Sequence, residues 1–342
     1  MDSRGNRASI VCAHVTAVPA SAFVTGGSGF IGGALIRRLV AGGARVRALT
    51  RSDRSAAAVG ALGATAVAGD LDDVAAMSAG AEGCDAAFHL AAHVAQWGKP
   101  EDFERGNVEG TRNALAAAAG AEVGRFVHCG TEAAILAGKP LVNADETVPL
   151  RPDSPALYSS TKARAEQLVR EASREGFDAV VLRPRFVWGA GDTTLLPEMV
   201  AAVNAGRWAW VGGGRHRTST THVQNVVEGL LLAAEKGRAG EAYFVTDGDD
   251  VVFRDFISDL IRTQGVEPPD RNIPVPVAAA LARGGELAWR LLPFSGEPPL
   301  TRFAYWAASQ ECTIDDSKAR AELGYAPVVS REQGLAELSA AA

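Results

Sequence analysis

Residues 22–32 read Ala22-Phe23-Val24-Thr25-Gly26-Gly27-Ser28-Gly29-Phe30-Ile31-Gly32, and the reading of the fold starts there. Ala22–Thr25 has the length and apolar character of a short buried strand, and Phe30 to Gly42 that of a helix. Strand, glycine-rich turn and helix in that order is the setting a dinucleotide-binding fingerprint requires. Gly26 permits the tight turn, Gly29 lets the backbone approach a pyrophosphate, and Gly32 lets helix and strand pack closely. The first N–H groups of such a helix, around Ser28, Phe30 and Ile31, face an anion favourably.

Outward from this unit, Arg45–Thr50, Thr65–Ala68, Ala86–Leu90, Phe126–Cys129 and Ala179–Leu182 read as further strands separated by helical stretches. This alternation predicts an α/β protein, a Rossmann-type doubly wound parallel sheet. Residues 21–192 are expected to form the nucleotide-binding domain, and 193–342 a smaller substrate-binding region from which about 218–247 returns to the sheet. Residues 1–20 read as a disordered tail or start-site extension, because signal cleavage after Ala20 would cut into the first strand.

The chain has 342 residues, 47% of them hydrophobic and 22% charged, with a net charge of −6, as expected of a globular enzyme. No long basic run suggests a nucleic-acid partner. Cys12, Cys84, Cys129 and Cys312 lack metal-site spacing, so no metal is expected, and they read as reduced thiols of a cytoplasmic protein. The apolar stretch at about 277–292 is interrupted by Arg283, Glu286 and Arg290, which argues against a membrane span. A lid over an apolar substrate, a peripheral membrane contact and a packing helix all remain open for it.

The second motif is Tyr158-Ser159-Ser160-Thr161-Lys162, opening a helical run from Ala156 to Arg174. Tyr158 and Lys162 are four apart and share a helix face. An ammonium close to a phenol favours the phenolate and brings its pKa towards neutrality. With the glycine motif, this pair resembles the extended short-chain dehydrogenases/reductases of the NAD-dependent epimerase/dehydratase superfamily. The loop Glu132–Asn143, the run Arg183-Pro184-Arg185-Phe186-Val187-Trp188-Gly189-Ala190-Gly191-Asp192 and the C-terminal Thr313–Tyr325 resemble the 3β-hydroxysteroid dehydrogenase-like branch most.

The resemblance implies a set of roles. Tyr158 is the general acid/base, Lys162 lowers its pKa and holds the cofactor ribose, and Thr131 donates a hydrogen bond to the substrate oxygen. Asn107 orders a water beside the lysine. Thr25, Asp70, Leu71, Leu90, Ala91, Ala92, Arg183, Pro184, Phe186 and Val187 join the glycine turn as cofactor contacts. His93, Gln96, Trp97, Thr131, Glu132 and Arg185 are the substrate-side candidates. Beyond the second strand, where an acidic residue would hold an NAD ribose, stand Arg51 and, later, Arg54. An arginine suits a 2′-phosphate and favours NADP over NAD.

The function implied is hydride transfer between nicotinamide and a secondary alcohol or ketone of an apolar substrate, steroid-like or 2-alkyl-3-oxoacid-like, by a homodimer. Trp97, Trp208, Trp210, Trp289 and Trp306 are available to line such a pocket. A sugar-nucleotide epimerase with tightly bound NAD stays open, since Arg207, Arg215 and Arg217 could meet a diphosphate. So does a non-catalytic NADP-binding regulator, against which the intact Tyr158 and Lys162 argue. The Asp-Glu pair that follows the threonine in sugar-nucleotide dehydratases is broken here to Glu132-Ala133.

Overall fold

A computed structural model describes residues 16–292 and 294–342. The expectations for residues 1–15, Cys12 among them, fall outside them. Strand β1 (Ser21–Thr25) is buried along its whole length and is an interior strand of a seven-stranded parallel sheet. It leads through the glycine turn into α1 (Phe30–Ala41). There follow β2 (Arg45–Thr50), α2 (Asp53–Ala61), β3 (Thr65–Ala68), α3 (Val74–Ala81) and β4 (Ala86–His89). The next helix, α4, runs through Pro100–Phe103, a π-helical turn Glu104–Glu109, and Gly110–Gly120. Then come β5 (Arg125–Cys129), α5 (Leu157–Ala172) and β6 (Asp178–Pro184). After α6 (Leu195–Asn204) and α7 (Val223–Lys236), β7 (Ala242–Val245) returns to the sheet beside β6.

In these labels the strand order is β7-β6-β5-β4-β1-β2-β3. The order reverses between β1 and β4, and in such sheets ligands bind in the crevice outside the strand ends there. Helices must cover both faces, because parallel strands need long crossovers. Leu35, Ile36 and Leu39 of α1 and Val226, Leu230 and Leu231 of α7 pack on one face with β1 and β6 residues. Met77 of α3, Leu115 of α4 and Val169 of α5 pack on the other. Burying each such side chain contributes about 1.5–3 kcal/mol.

Register brings Thr25, His89 and His128 level with one another at the carboxyl ends of β1, β4 and β5. A second, four-stranded sheet orders Val251–Val252, Arg217–Thr218, Cys312–Ile314 and Leu141–Ala144. It brings Thr218 and Cys312 against the loop following β6. The remaining helices are α8 (Phe253–Arg262), α9 (Val275–Leu291), α10 (Arg302–Ser309), α11 (Ser317–Leu323) and α12 (Arg331–Ala341). No described helix is long and apolar enough to cross a membrane.

One expectation is corrected. Residues 16–20 are not tail: Val18 packs against the core and Arg38 donates to the Thr16 carbonyl. The Asp70 carboxylate accepts from the Asp72 amide, and Asp73 caps α3 by accepting from Ala76.

The glycine turn is packed by its own backbone. Gly26 has φ +74°, and a Cβ there would lie 2.6 Å from the Ala91 amide nitrogen. A Cβ on Gly32 would lie 2.1 Å from the Gly26 carbonyl oxygen. Gly32→Ala is therefore expected to cost about 1–3 kcal/mol through overpacking. Gly60→Ala in α2, where a Cβ meets nothing within 4 Å, should be neutral or stabilise by about 0.5–1 kcal/mol. Urea unfolding midpoints of the two variants check the contrast.

Candidate active site

Helix α1 is preceded by Gly29 at its N-cap, with no side-chain cap and no acidic residue in its first turn. Its leading N–H groups are thus left for an anion, and the glycine turn leaves room for backbone alone. A dinucleotide pyrophosphate fits this cradle. At the end of β2, the Thr50 hydroxyl is taken up by the Val67 carbonyl of β3 at 3.2 Å. Arg51 and Arg54 are exposed, and Asp53 opens α2 instead of ending the strand. Asp70 is exposed, Leu71 packs against Gly110, and Leu90, Ala91 and Ala92 are half-buried beside Gly26. Pro184 ends β6 in a buried position. Phe186 follows with φ +44°, a strained conformation for a bulky residue. Thr221 holds that turn: its hydroxyl accepts from the Arg185 amide at 3.1 Å and donates towards the Arg185 and Val245 carbonyls.

Tyr158, in the first turn of α5, lies edge-on to Phe303 of α10, ring centroids 5.4 Å apart. Burial, then the Glu132 and Cys129 side chains, push its phenol well above the ordinary value. Lys162 does not bring it down. Its ammonium donates to the Cys129 carbonyl at 3.1 Å and faces His128 Nε2 at 3.3 Å. Burial lowers the lysine's own pKa. The expected acidification of Tyr158 by Lys162 is therefore not what this arrangement produces.

Thr131 lies between β5 and a 3₁₀ turn, Glu132–Ile135, which it caps by accepting from the Ala133 amide at 3.2 Å. Its hydroxyl donates to Glu132 Oε2 at 2.8 Å, so its single proton is engaged. Glu132 Oε1 accepts from Arg185 Nη1 at 2.7 Å, and Arg185 Nη2 donates to Thr218. Both members of the ion pair are buried, so the charges expected to meet substrate meet each other.

Other expected site residues have partners within the protein. Arg183 is fully buried, pairs with Glu166 of α5 and sits over the Phe244 ring, with its Nη1 lacking a partner among the described residues. Asn107, in the π turn of α4, accepts from the His93 amide at 2.7 Å and donates to the His93 carbonyl and the Thr161 hydroxyl. It clamps the loop after β4 onto α5, and its amide is spent doing so. His93 packs edge-on against Phe103. Gln96 accepts from the Thr301 hydroxyl at 3.1 Å, and Arg290 of α9 lies over the Trp97 ring. The segment through α9 and α10 thus meets the loop after β4. Trp306 packs on Gly138, whereas Trp210 is buried among Phe253 and Trp208, in the core beneath α8.

Sequence reasoning missed His128, Phe303 and the partners of Glu132. A histidine near the end of each of two apolar strands, β4 and β5, was the available signal for the first. His89 Nδ1 pairs with Thr25 at 2.7 Å, its Nε2 with Thr111, and its ring stacks on His128 at 5.3 Å. Among the described residues no cluster of metal-ligating side chains occurs, and Cys84, Cys129 and Cys312 are free thiols.

Residues 23–276 match the model of the 3-beta hydroxysteroid dehydrogenase/isomerase family. A 4-hydroxy-2-methyl-3-oxo-4-farnesyl-3,4-dihydroquinoline-1-oxide ketoreductase of Stigmatella aurantiaca is 48% identical, over 92% of this chain and 94% of its own. A 2-alkyl-3-oxoalkanoate reductase of Stenotrophomonas maltophilia is 38% identical, over 93% of this chain and 98% of its own. Among solved structures, a double mutant of dTDP-glucose 4,6-dehydratase from Streptomyces venezuelae with NAD bound has a TM-score of 0.73. It is 25% identical and covers 93% of this chain and 95% of its own.

The buried histidines make stability depend on pH. Burial, reinforced by the Lys162 charge, lowers His89 from 6.5 to about 3 and His128 well below 6.5. Below pH 6.5 the unfolded chain binds protons that the folded one refuses, so stability is present above 6.5 and falls as the medium is acidified. The expected loss is about 1.4 kcal/mol per histidine per pH unit, ending for His89 near its folded value. Urea unfolding at pH 7.5, 6.0 and 5.0 measures it; equal stability at all three would refute the assignment.

Proposed function

The chain belongs to the 3-beta hydroxysteroid dehydrogenase/isomerase family, within the extended short-chain dehydrogenases/reductases, and we propose that it reduces the carbonyl of an apolar ketone with NADPH. The enzyme class, a nicotinamide-dependent oxidoreductase acting on CH–OH/C=O groups, is that of its named relatives. The observation that carries the proposal is the placement of Tyr158 and Lys162 one turn apart on α5, with Lys162 linked through His128 and His89 to Thr25 at the glycine turn. At neutral pH a tyrosine is a phenol, the form that gives a proton.

When bound at the glycine turn, the cofactor supplies the hydride. The protein's part is to place a carbonyl oxygen at Tyr158, whose proton moves to that oxygen as charge develops on it. Asn107 holds the loop after β4 against α5 while this happens. Phe303 walls the phenol with an apolar face. Arg185, the cation paired to the carboxylate beside Tyr158, is committed to Glu132, and Arg217 donates to the Asp250 carbonyl. Both features favour an uncharged apolar substrate over a sugar nucleotide. A 2-alkyl-3-oxoacid would reach the site with its ketone and alkyl arm, its acid group outside.

NADP is preferred in this reading because Arg51 is exposed at the end of β2 and no carboxylate there meets a ribose 2′-hydroxyl.

Absorbance at 340 nm is followed with NADPH or NADH and, in turn, a 2-alkyl-3-oxoacid, a steroid ketone and a UDP-sugar. Consumption of NADPH with a ketone is expected, with kcat falling about 10²–10⁴-fold in Tyr158→Phe while NADPH still binds. Interconversion of the UDP-sugar with no net change in nicotinamide would overturn the proposal in favour of an epimerase. Arg51→Asp should raise the KM for NADPH roughly 10–100-fold and improve that for NADH, the effect of one lost charge-assisted contact. Unchanged preference would remove Arg51 from the site.

A further inference from the structure

His128 makes one side-chain hydrogen bond among the described residues, and that bond goes to Lys162. We propose that His128 is a positioning residue of the cofactor site. Its Nε2 and the Cys129 carbonyl together take two N–H bonds of Lys162, which leaves the ammonium one donor, held in a fixed place, for the cofactor. The part assigned to His128 rests on the nicotinamide-dependent carbonyl-reductase reading above, and neither the family resemblance nor the relatives' names contain it.

The two histidines of this layer differ in how their nitrogens are spent. His89 pairs both, Nδ1 with Thr25 at 2.7 Å and Nε2 with Thr111 at 3.1 Å. It is satisfied by its neighbours and needs nothing further. His128 is as deeply buried, at 1% exposure, yet its Nδ1 meets no partner among the described residues. A buried polar atom without a partner carries a desolvation cost that an apolar ring of similar size would not. What the imidazole adds over such a ring is the contact to Lys162.

That contact has one possible direction. An ammonium has three N–H bonds and no lone pair, so it can only donate. Lys162 Nζ lies 3.1 Å from the Cys129 carbonyl oxygen and 3.3 Å from His128 Nε2. Nε2 is therefore the bare nitrogen of the ring, and the imidazole proton sits on the unpartnered Nδ1. Burial and the charge of Lys162 itself keep the ring neutral, so the lone pair is there to accept.

Without such an anchor the ammonium would not have a defined place. A flexible four-carbon stem separates it from the backbone, so α5 fixes the root of Lys162 and not its Nζ. His128 supplies the missing reference. Its strand, β5, is paired on both sides, with β4 and with β6. Its ring stacks on His89, centroids 5.3 Å apart, and His89 is tied to Thr25 at the start of the glycine turn. The charge on α5 is thereby placed relative to the cradle at the start of α1.

Two substitutions separate the acceptor from the packing. His128→Phe keeps a ring and removes the acceptor, while His128→Gln carries an amide oxygen out to about the distance of Nε2. The first readout needs no cofactor: ¹⁵N spectra of the histidine side chains at neutral pH. His128, identified as the signal absent from His128→Gln, should show a bare Nε2 and a protonated Nδ1. Lys162→Met should shift that Nε2 signal. The second is the Kd for NADPH or NADH, whichever the wild type binds more tightly, from nucleotide fluorescence. It should rise about 10-fold in His128→Phe, as one bond to a charged group is lost, and be largely restored in His128→Gln. In ketone reduction, kcat should fall roughly 10–100-fold in His128→Phe through misplacement of the ammonium, with the KM for the ketone little changed.

A proton on Nε2 of His128, or a nucleotide Kd and kcat unaltered in His128→Phe, would overturn the proposal. So would His128→Gln losing as much as His128→Phe, since packing would then explain both. If His128→Phe does not fold, His128→Asn, polar but one carbon too short to reach Lys162, takes its place beside His128→Gln. If the wild type reduces no ketone, the carbonyl-reductase reading has failed, and the spectra and the nucleotide Kd still decide the role of His128.

Discussion

Two buried ion pairs hold this site together, and a low dielectric leaves them little freedom. Arg183 and Arg185 flank Pro184 at the end of β6, and each reaches a carboxylate on a different segment of the candidate site. Arg183 pairs with Glu166 on α5, the helix that carries Tyr158 and Lys162. Arg185 pairs with Glu132, next to Thr131. A charge buried without its partner would cost several kcal/mol, so the two segments are held to one strand end. Such pairs are weak evidence for net stability, but they are a strong constraint on position.

The same lack of water explains why the level beneath the crevice behaves unlike its exposed equivalents. Thr25, His89 and His128 end three neighbouring strands in register, with Thr111 and Lys162 beside them. The imidazoles are neutral because burial makes their charged forms expensive, and the lysine between them and the Cys129 carbonyl adds to that penalty. Lys162 is consequently a member of the polar layer under the sheet ends as much as a companion of Tyr158. The phenol is left to the influence of burial and Glu132, which favour its protonated form.

Much of the architecture was legible from residues close in sequence. The limits of β2 and β3 are those read from the chain, and β1, β4, β5 and β6 differ only at their ends. Short apolar runs between helical stretches carry that information locally. Individual roles were less legible. Arg183 and Asn107 were read as site residues by motif; the pairing of the first with Glu166 and the clamp of the second on the His93 backbone and Thr161 were not legible. Trp210 looked available to a pocket and is core.

The sequence by itself determined the parallel α/β fold, the glycine cradle at the start of α1 and the presence of Tyr158 and Lys162 one helical turn apart. These depend on spacing of a few residues, which strand and helix geometry convert directly into position. Only the tertiary structure decided what surrounds the phenol. Glu132 and Arg185 are far apart in the chain, as are Tyr158 and Phe303, and no local pattern announces either meeting. The pKa of Tyr158 is set by which charges are near it and how little water lies between them. Both are properties of packed chain segments, so that number exists only once the fold has closed.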